Sequence, residues 1–288
     1  MRIVILMGGV GSRFAAAGYQ KPKPLIRVDG KTMAEHVVLM YPGEHEFILV
    51  SHERFANSEE LRLLTEMLPR SRIVAVPPHN FGPVYTLSLV WNTLPENEPV
   101  LVSYCDFSAN WDFADFIRNV EVAGIDGAIP SYTGFHPHLL HRKKYAGILA
   151  NPAGMIEHIK EKHSFTPNPE DSFHSAGNYY FSKAHEMKHY GEALMRSGEA
   201  LQGEYYLSMV YYHYLAEQKH ILVYPLKHFL QWGTPEDLEE YEAWSRLIKG
   251  REKGVTDIPE GRRVHIPHAD DSHEYQRSLA YWKEYFSL

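Results

Sequence analysis

Apolar and polar positions follow two rhythms along the chain. Short runs rich in β-branched residues predict strands at Ile3–Met7, Phe47–Ser51, Ile73–Val76, Val100–Tyr104, Gly127–Pro130 and Ile221–Tyr224. Between the early strands, apolar residues three and four apart predict helices over Met33–Met40, Ser58–Leu68, Val84–Leu94 and Phe113–Ala123. Strands and helices alternating in this way fold as an α/β domain around a mostly parallel sheet. After Pro130 the rhythm changes to shorter strands and long irregular connections, which predicts an inserted layer facing a substrate. Residues 249–270 are charged and broken by Pro and Gly, and read as a linker. Tyr275, Leu279, Trp282 and Phe286 then recur at helical spacing, as in a terminal helix packed on the core or, as the alternative, at a dimer contact.

The first predicted strand runs straight into Gly8-Gly9-Val10-Gly11-Ser12-Arg13. A strand entering a glycine turn is a phosphate-binding arrangement, because backbone N–H groups approach the oxygens where no Cβ intervenes. The dinucleotide fingerprint fails, since Phe14 stands where its third glycine belongs. A P-loop fails as well, since no Gly-Lys-Ser/Thr follows. Arg13 and Lys23 are long cations beside this loop, suited to neutralising a polyphosphate.

The stretch GGVGSRF followed by KPKPL resembles the signature of the sugar-phosphate nucleotidyltransferases, the NDP-sugar pyrophosphorylases, with Lys23 as the signature lysine. The resemblance extends over about residues 1–245 and is strongest at 8–25 and 231–238. It implies a Rossmann-like, mostly parallel mixed sheet of the GT-A-like nucleotidyltransferase kind, to which the residues beyond the resemblance add a C-terminal helical extension. Residues 1–248 would form the nucleotidyltransferase domain, and 249–288 a linker and aromatic helix. The implied reaction joins an NTP and a sugar 1-phosphate to give an NDP-sugar and pyrophosphate, for surface polysaccharide precursors. Arg13, Lys23 and Asp106 are the implied catalytic residues, with Asp106 holding Mg2+. Met7, Gly8, Gly9, Gly11, Ser12, Arg13 and Gly82 are implied to bind the nucleotide, and Glu161, Lys162, Gly177, Asn178 and Glu204 the acceptor. Thr234, with Pro235 after it and Asp237 three residues on, also reads as a helix cap. One position departs from the family pattern: Gln231 stands where many members have a second metal-binding aspartate. Mg2+ then rests on Asp106, substrate phosphates and water, which suits this ion.

Composition narrows the partners. The 288 residues carry a net charge of −7, so neither nucleic acid nor an anionic membrane is expected. Cys105 is the single cysteine, which excludes an intrachain disulfide or a Cys-rich zinc site and points to a reducing cytoplasm. The longest apolar runs are strand-sized, too short to span a bilayer. The opening run is short and enters a glycine turn, so it is not read as a signal peptide. His136, His138 and His141 lack a Cys or acidic companion at metal-site spacing, and read as a loop lining the acceptor pocket. Three alternatives stand: a phosphorylated non-sugar acceptor, a nucleotide-sugar-dependent glycosyltransferase, or a non-catalytic sensor. Against the glycosyltransferase, Cys105-Asp106-Phe107-Ser108-Ala109 offers one aspartate and no Asp-x-Asp pair. Enzymes of the resembled family often assemble as homo-oligomers.

Overall fold

The computed structural model describes residues 1–122, 124–141, 145–250, 256–262, 266 and 272–287, without the His141 side chain. Ala123 and the greater part of the expected linker thus lie outside the described residues. Among the described residues ten strands share one sheet. Arg2–Met7 lies third from one edge, parallel to Glu46–His52 on one side and Val100–Tyr104 on the other. Ser71–Val76 adds a further parallel strand beyond Glu46–His52. Past Val100–Tyr104 the direction changes. Asn178–Phe181 runs antiparallel, followed by Gly127–Tyr132, Phe173–Ser175, Gly147–Ala150 and Ile156–Lys160. Ile221–Pro225 pairs parallel with Gly127–Tyr132. All six predicted strands form, within two residues of their expected limits. The layer expected after Pro130 is this antiparallel edge.

The strand Arg2–Met7 is apolar on both faces because both are covered. Ile3, Ile5 and Met7 face a cluster closed by Val37, Leu61 and Phe116. Val4 and Leu6 face the opposite cluster, closed by Leu87, Met187 and Tyr211. Such strands read as continuous apolar runs rather than alternating ones. Helices Met33–Leu39, Glu59–Met67 and Phe113–Val120 start at side-chain caps from Thr32, Ser58 and Asp112.

The helix expected over Val84–Leu94 is shorter. It spans Pro83–Ser88 and gives way to a 3-10 turn at Trp91–Thr93. The break lets Trp91 bury its ring against Gly191, where an added Cβ would come within 2.7 Å of it.

A third cluster joins the ends of the chain. Phe14, Ile26 and Val28 meet Trp232 and Trp244, together with Tyr281 and Trp282 of the final helix, His273–Phe286. The final helix is thus packed on its own chain, with the Trp282 and Trp244 rings stacked at 6.4 Å.

Candidate active site

Two adjoining cavities of about 350 and 360 Å³ open at the C-terminal ends of the parallel strands. This end of an open α/β sheet, where the strand order reverses, is where such folds bind ligands. Arg13, Tyr104, Asp106, Tyr206 and Gly233 line both cavities and mark their junction.

The first cavity is built on the glycine turn. Met7, Gly8, Gly9, Gly11, Ser12 and Arg13 line it, with Gly82 opposite. Gly82 has φ +86°, and an added Cβ would sit 2.8 Å from the Tyr205 nitrogen. Only glycine fits there, since this loop and residues 204–205 exchange backbone hydrogen bonds: Tyr205 N–H to Phe81 O at 2.9 Å and Val84 N–H to Tyr205 O at 3.0 Å. His79, Asn80 and Thr86 complete the wall and were not singled out in the sequence. The Phe81 N–H donates to His79 Nδ1 at 3.3 Å, so the ring proton resides on Nε2. That Nε2–H donates to Thr86 Oγ1 at 3.0 Å, and the threonine hydroxyl donates to Gly82 O at 3.3 Å. Burial lowers the His79 pKa, with His52 adding to the effect, which keeps this chain of bonds in its neutral form.

Lys23 and Asp106 meet at the junction. Lys23 begins a 3-10 turn between Pro22 and Pro24, and its Nζ donates to Asp106 Oδ2 at 2.5 Å and to Gly233 O at 3.2 Å. Arg13 is exposed, and its guanidinium makes no ion pair with any described residue. Cys105, beside Asp106, is free and buried, and burial pushes its thiol up to about 12.

The second cavity takes Glu161, Lys162 and Gly177 from the antiparallel edge. Burial raises the Glu161 carboxyl above the usual carboxylate range, against the opposing effect of the Ser208 hydroxyl that donates to it. Lys162 holds a left-handed backbone at φ 52°, and its Nζ donates to Gln202 Oε1 at 3.0 Å and Tyr206 OH at 3.1 Å. Thr234 and Asp237 form the capping box of helix Pro235–Lys249, and Asp237 Oδ1 also accepts from Gln231 Nε2 at 2.8 Å. The Gln231 carbonyl oxygen is buried and has no hydrogen-bond partner.

Two expected acceptor residues lie elsewhere. Asn178 is fully buried and pairs with Ser103 across the sheet, on the face where Tyr41 caps Ser103, because alternate strand residues point to opposite faces. Its neighbour Tyr179 lines the cavity instead. Glu204 lines the first cavity, not the second, because residues 204–205 pack on Gly82. The histidine loop departs too. His136 and His138 are buried in an aromatic cluster with Tyr132 and Phe229 and line neither cavity, standing behind the Phe229 and Tyr145 that line the second, and the His141 side chain lies outside the described residues. Burial lowers the His136 pKa to about 3.

The site also fits a divalent cation of the hard, oxygen-seeking kind. Among the described residues no group of three or more His, Cys, Asp or Glu gathers into a metal cage. One carboxylate at Asp106 and the unpartnered Gln231 oxygen line the same cavity. Mg2+ is commonly held by one or two carboxylates plus substrate phosphates.

The MobA-like NTP transferase domain matches residues 3–164. Glucose-1-phosphate cytidylyltransferase of Salmonella typhimurium is 38% identical over 66 residues, covering 20% of this chain and 26% of the relative. The chain thus spans about a quarter of the length of the curated relatives it matches. Among solved structures, the nucleoside-diphosphate-sugar pyrophosphorylase of Vibrio cholerae RC9 superposes with TM-score 0.67 at 20% identity, covering 82% of this chain and 97% of that one. The inositol-1-phosphate CTP transferase of T. maritima superposes with TM-score 0.62 at 17% identity, covering 82% and 90%. Among the described residues no helix is long and apolar enough to cross a membrane.

Proposed function

The chain belongs to the MobA-like NTP transferase domain family and is a nucleotidyltransferase, and from that premise we propose that it joins an NTP to a sugar 1-phosphate, releasing pyrophosphate. The observation that carries the reading is the meeting of Arg13, Lys23 and Asp106 where the two cavities join. A polyphosphate in the first cavity and a phosphate monoester in the second would bring their reacting atoms to that junction.

An oxygen of the acceptor phosphate attacks the α-phosphorus of the NTP, and the bond from that phosphorus to the pyrophosphate oxygen breaks. The nucleophile is already an anion, so no residue has to remove a proton. Catalysis reduces to alignment and neutralisation of charge. The backbone of Gly8–Ser12 and the free guanidinium of Arg13 hold the β- and γ-phosphates, and Lys23 neutralises charge between the two substrates. Asp106, with the Gln231 carbonyl, would hold Mg2+, which when bound supplies charge stabilisation at the phosphates. Glu161 and Lys162 hold the acceptor, the lysine at its phosphate and the glutamate at its hydroxyls. Relatives named for acting on glucose 1-phosphate and inositol 1-phosphate support an acceptor that is a polyhydroxylated ring carrying one phosphate. A surface polysaccharide precursor as the product is part of the proposal and draws on neither name. The buried thiol of Cys105 accords with a cytoplasmic setting.

Four NTPs against a panel of sugar 1-phosphates and other phosphate monoesters, read by pyrophosphate release, test the proposal. One pair releasing pyrophosphate in step with a nucleotide-linked product is expected. Glycosyl transfer from a nucleotide sugar with no pyrophosphate from any NTP overturns it.

A further inference from the structure

We propose that residues 256–262, far beyond the matched family domain, act as a strap that positions Lys23 for the reaction proposed above. The segment from Ala17 to Asp29 carries Lys23 and needs something to hold its outer side, because its only regular elements are a 3-10 turn and a two-residue strand.

The strap supplies that support at both ends. Asp257 and Arg27 pair reciprocally: the Arg27 N–H donates to Asp257 Oδ2 at 3.0 Å, and the Asp257 N–H donates to Arg27 O at 3.1 Å. The same carboxylate lies 3.2 Å from Lys21 Nζ, so one side chain of the strap grips residues on both sides of Lys23. Asp29 N–H donates to Thr256 Oγ1 at 3.2 Å, and that hydroxyl donates to Glu242 Oε2 at 2.6 Å. At the other end Arg262 pairs with Glu239, which also accepts from Tyr19 OH at 3.4 Å.

This arrangement explains an oddity of helix Pro235–Lys249. Glu239 and Glu242 are buried, which is rare for glutamate unless it is paired. Both are paired: Glu239 with Arg262 of the strap and Tyr19 of the segment it holds, and Glu242 with the strap's Thr256 and with Arg246 of its own helix at 2.8 Å. The helix that begins at Gly233 and Thr234 in the active site thus anchors the strap, and the strap grips the lysine loop from outside. Lys23 Nζ in turn reaches Gly233 O. Asp257 touches neither cavity at the junction and so acts through the loop, as a positioning residue.

The test uses the full chain and its Asp257→Ala and Asp257→Asn variants, with Lys227→Met as a control. Lys227 ties the final helix through Glu284 at 2.9 Å, away from the loop. Hydrogen exchange is expected to rise at least tenfold for peptides spanning residues 20–29 in Asp257→Ala, and to stay unchanged in the central sheet. Pyrophosphate release is expected to show kcat down about tenfold or more, KM for the NTP changed less than threefold, and a melting temperature close to that of the unaltered chain. Asp257→Asn, which keeps an acceptor for the Arg27 N–H, should recover part of kcat, and Lys227→Met should keep all of it. Unchanged exchange at residues 20–29 overturns the strap. Raised exchange with unchanged kcat overturns its role in positioning Lys23, as does a kcat loss matched by an equal loss in melting temperature. Absence of pyrophosphate release from the unaltered chain is a different failure. It removes the proposed reaction, while the exchange measurement still decides whether the strap holds the loop.

Discussion

The side-chain amide of Gln231 donates to Asp237 at 2.8 Å, so an aspartate at this position would set two buried carboxylates against each other. Gln231→Asp is therefore expected to destabilise the chain in EDTA by about 1–3 kcal/mol, the usual cost of a buried polar group losing its partner. Mg2+ should restore part of that loss, and the variant should gain more in melting temperature from Mg2+ than the unaltered chain does. Thermal melts with EDTA and with Mg2+ read the difference, and equal melting in both sinks the assignment of Gln231 to the cation site.

Arg13→Ala and Lys23→Ala should each lower kcat/KM by about 100-fold or more, since on the proposed reaction each faces charge that builds in the transition state. Their stabilities should separate. Arg13 is exposed and free, so its loss leaves melting unchanged. Lys23 leaves a partly buried Asp106 carboxylate without its ion pair, so its loss lowers the melting temperature. Steady-state kinetics and melting on the two variants check this, and full activity in Arg13→Ala would discard the phosphate-loop reading.

Gly82→Ala strains a backbone at φ +86° and pushes a Cβ into residues 204–205. The backbone conformation alone costs about 1–3 kcal/mol. Because the displaced segment walls the first cavity, KM for the NTP should rise more than KM for the acceptor. A variant with equal changes in both would argue that the loop does not face the nucleotide.

His136 gives the fold an acid limit. Its ring donates to Gly134 O and accepts from the Phe229 N–H, each at 3.3 Å, so it is held neutral. Its folded pKa, lowered to about 3, lies below the ordinary value of 6.5, so its contribution is fully present above pH 6.5. That contribution is lost progressively as pH falls from 6.5 toward 3, at about 1.4 kcal/mol per pH unit. His136→Gln should flatten this part of the stability profile in urea melts at several pH values. An unchanged slope would place the acid sensitivity on another group.

The lining of the first cavity was legible in the sequence because its signals are local. Gly8 to Arg13 and Lys23 are close in sequence, and the turn that joins them follows the strand Arg2–Met7 directly. The lining of the second cavity was less legible. Asn178 and Tyr179 are neighbours, and only the register with Val100–Tyr104 decides which of them faces the cavity. The place of Glu204 on the first cavity is not legible locally, because it follows from the backbone hydrogen bonds of Tyr205 with Phe81 and Val84, more than a hundred residues away. His79 and Thr86 carried a faint signal, a polar pair flanking the glycine, which does not by itself distinguish a cleft wall from a helix start. The burial of His136 is not legible locally, because its ring packs against Tyr281 of the final helix.

The change of strand direction at Asn178–Phe181 makes the sheet modular in what it presents to a ligand. On the proposed reaction, the parallel strands end in the groups that meet the triphosphate, and the antiparallel edge supplies those that meet the acceptor. Substitutions along the antiparallel edge should then change the choice of acceptor and leave the choice of nucleotide as it is.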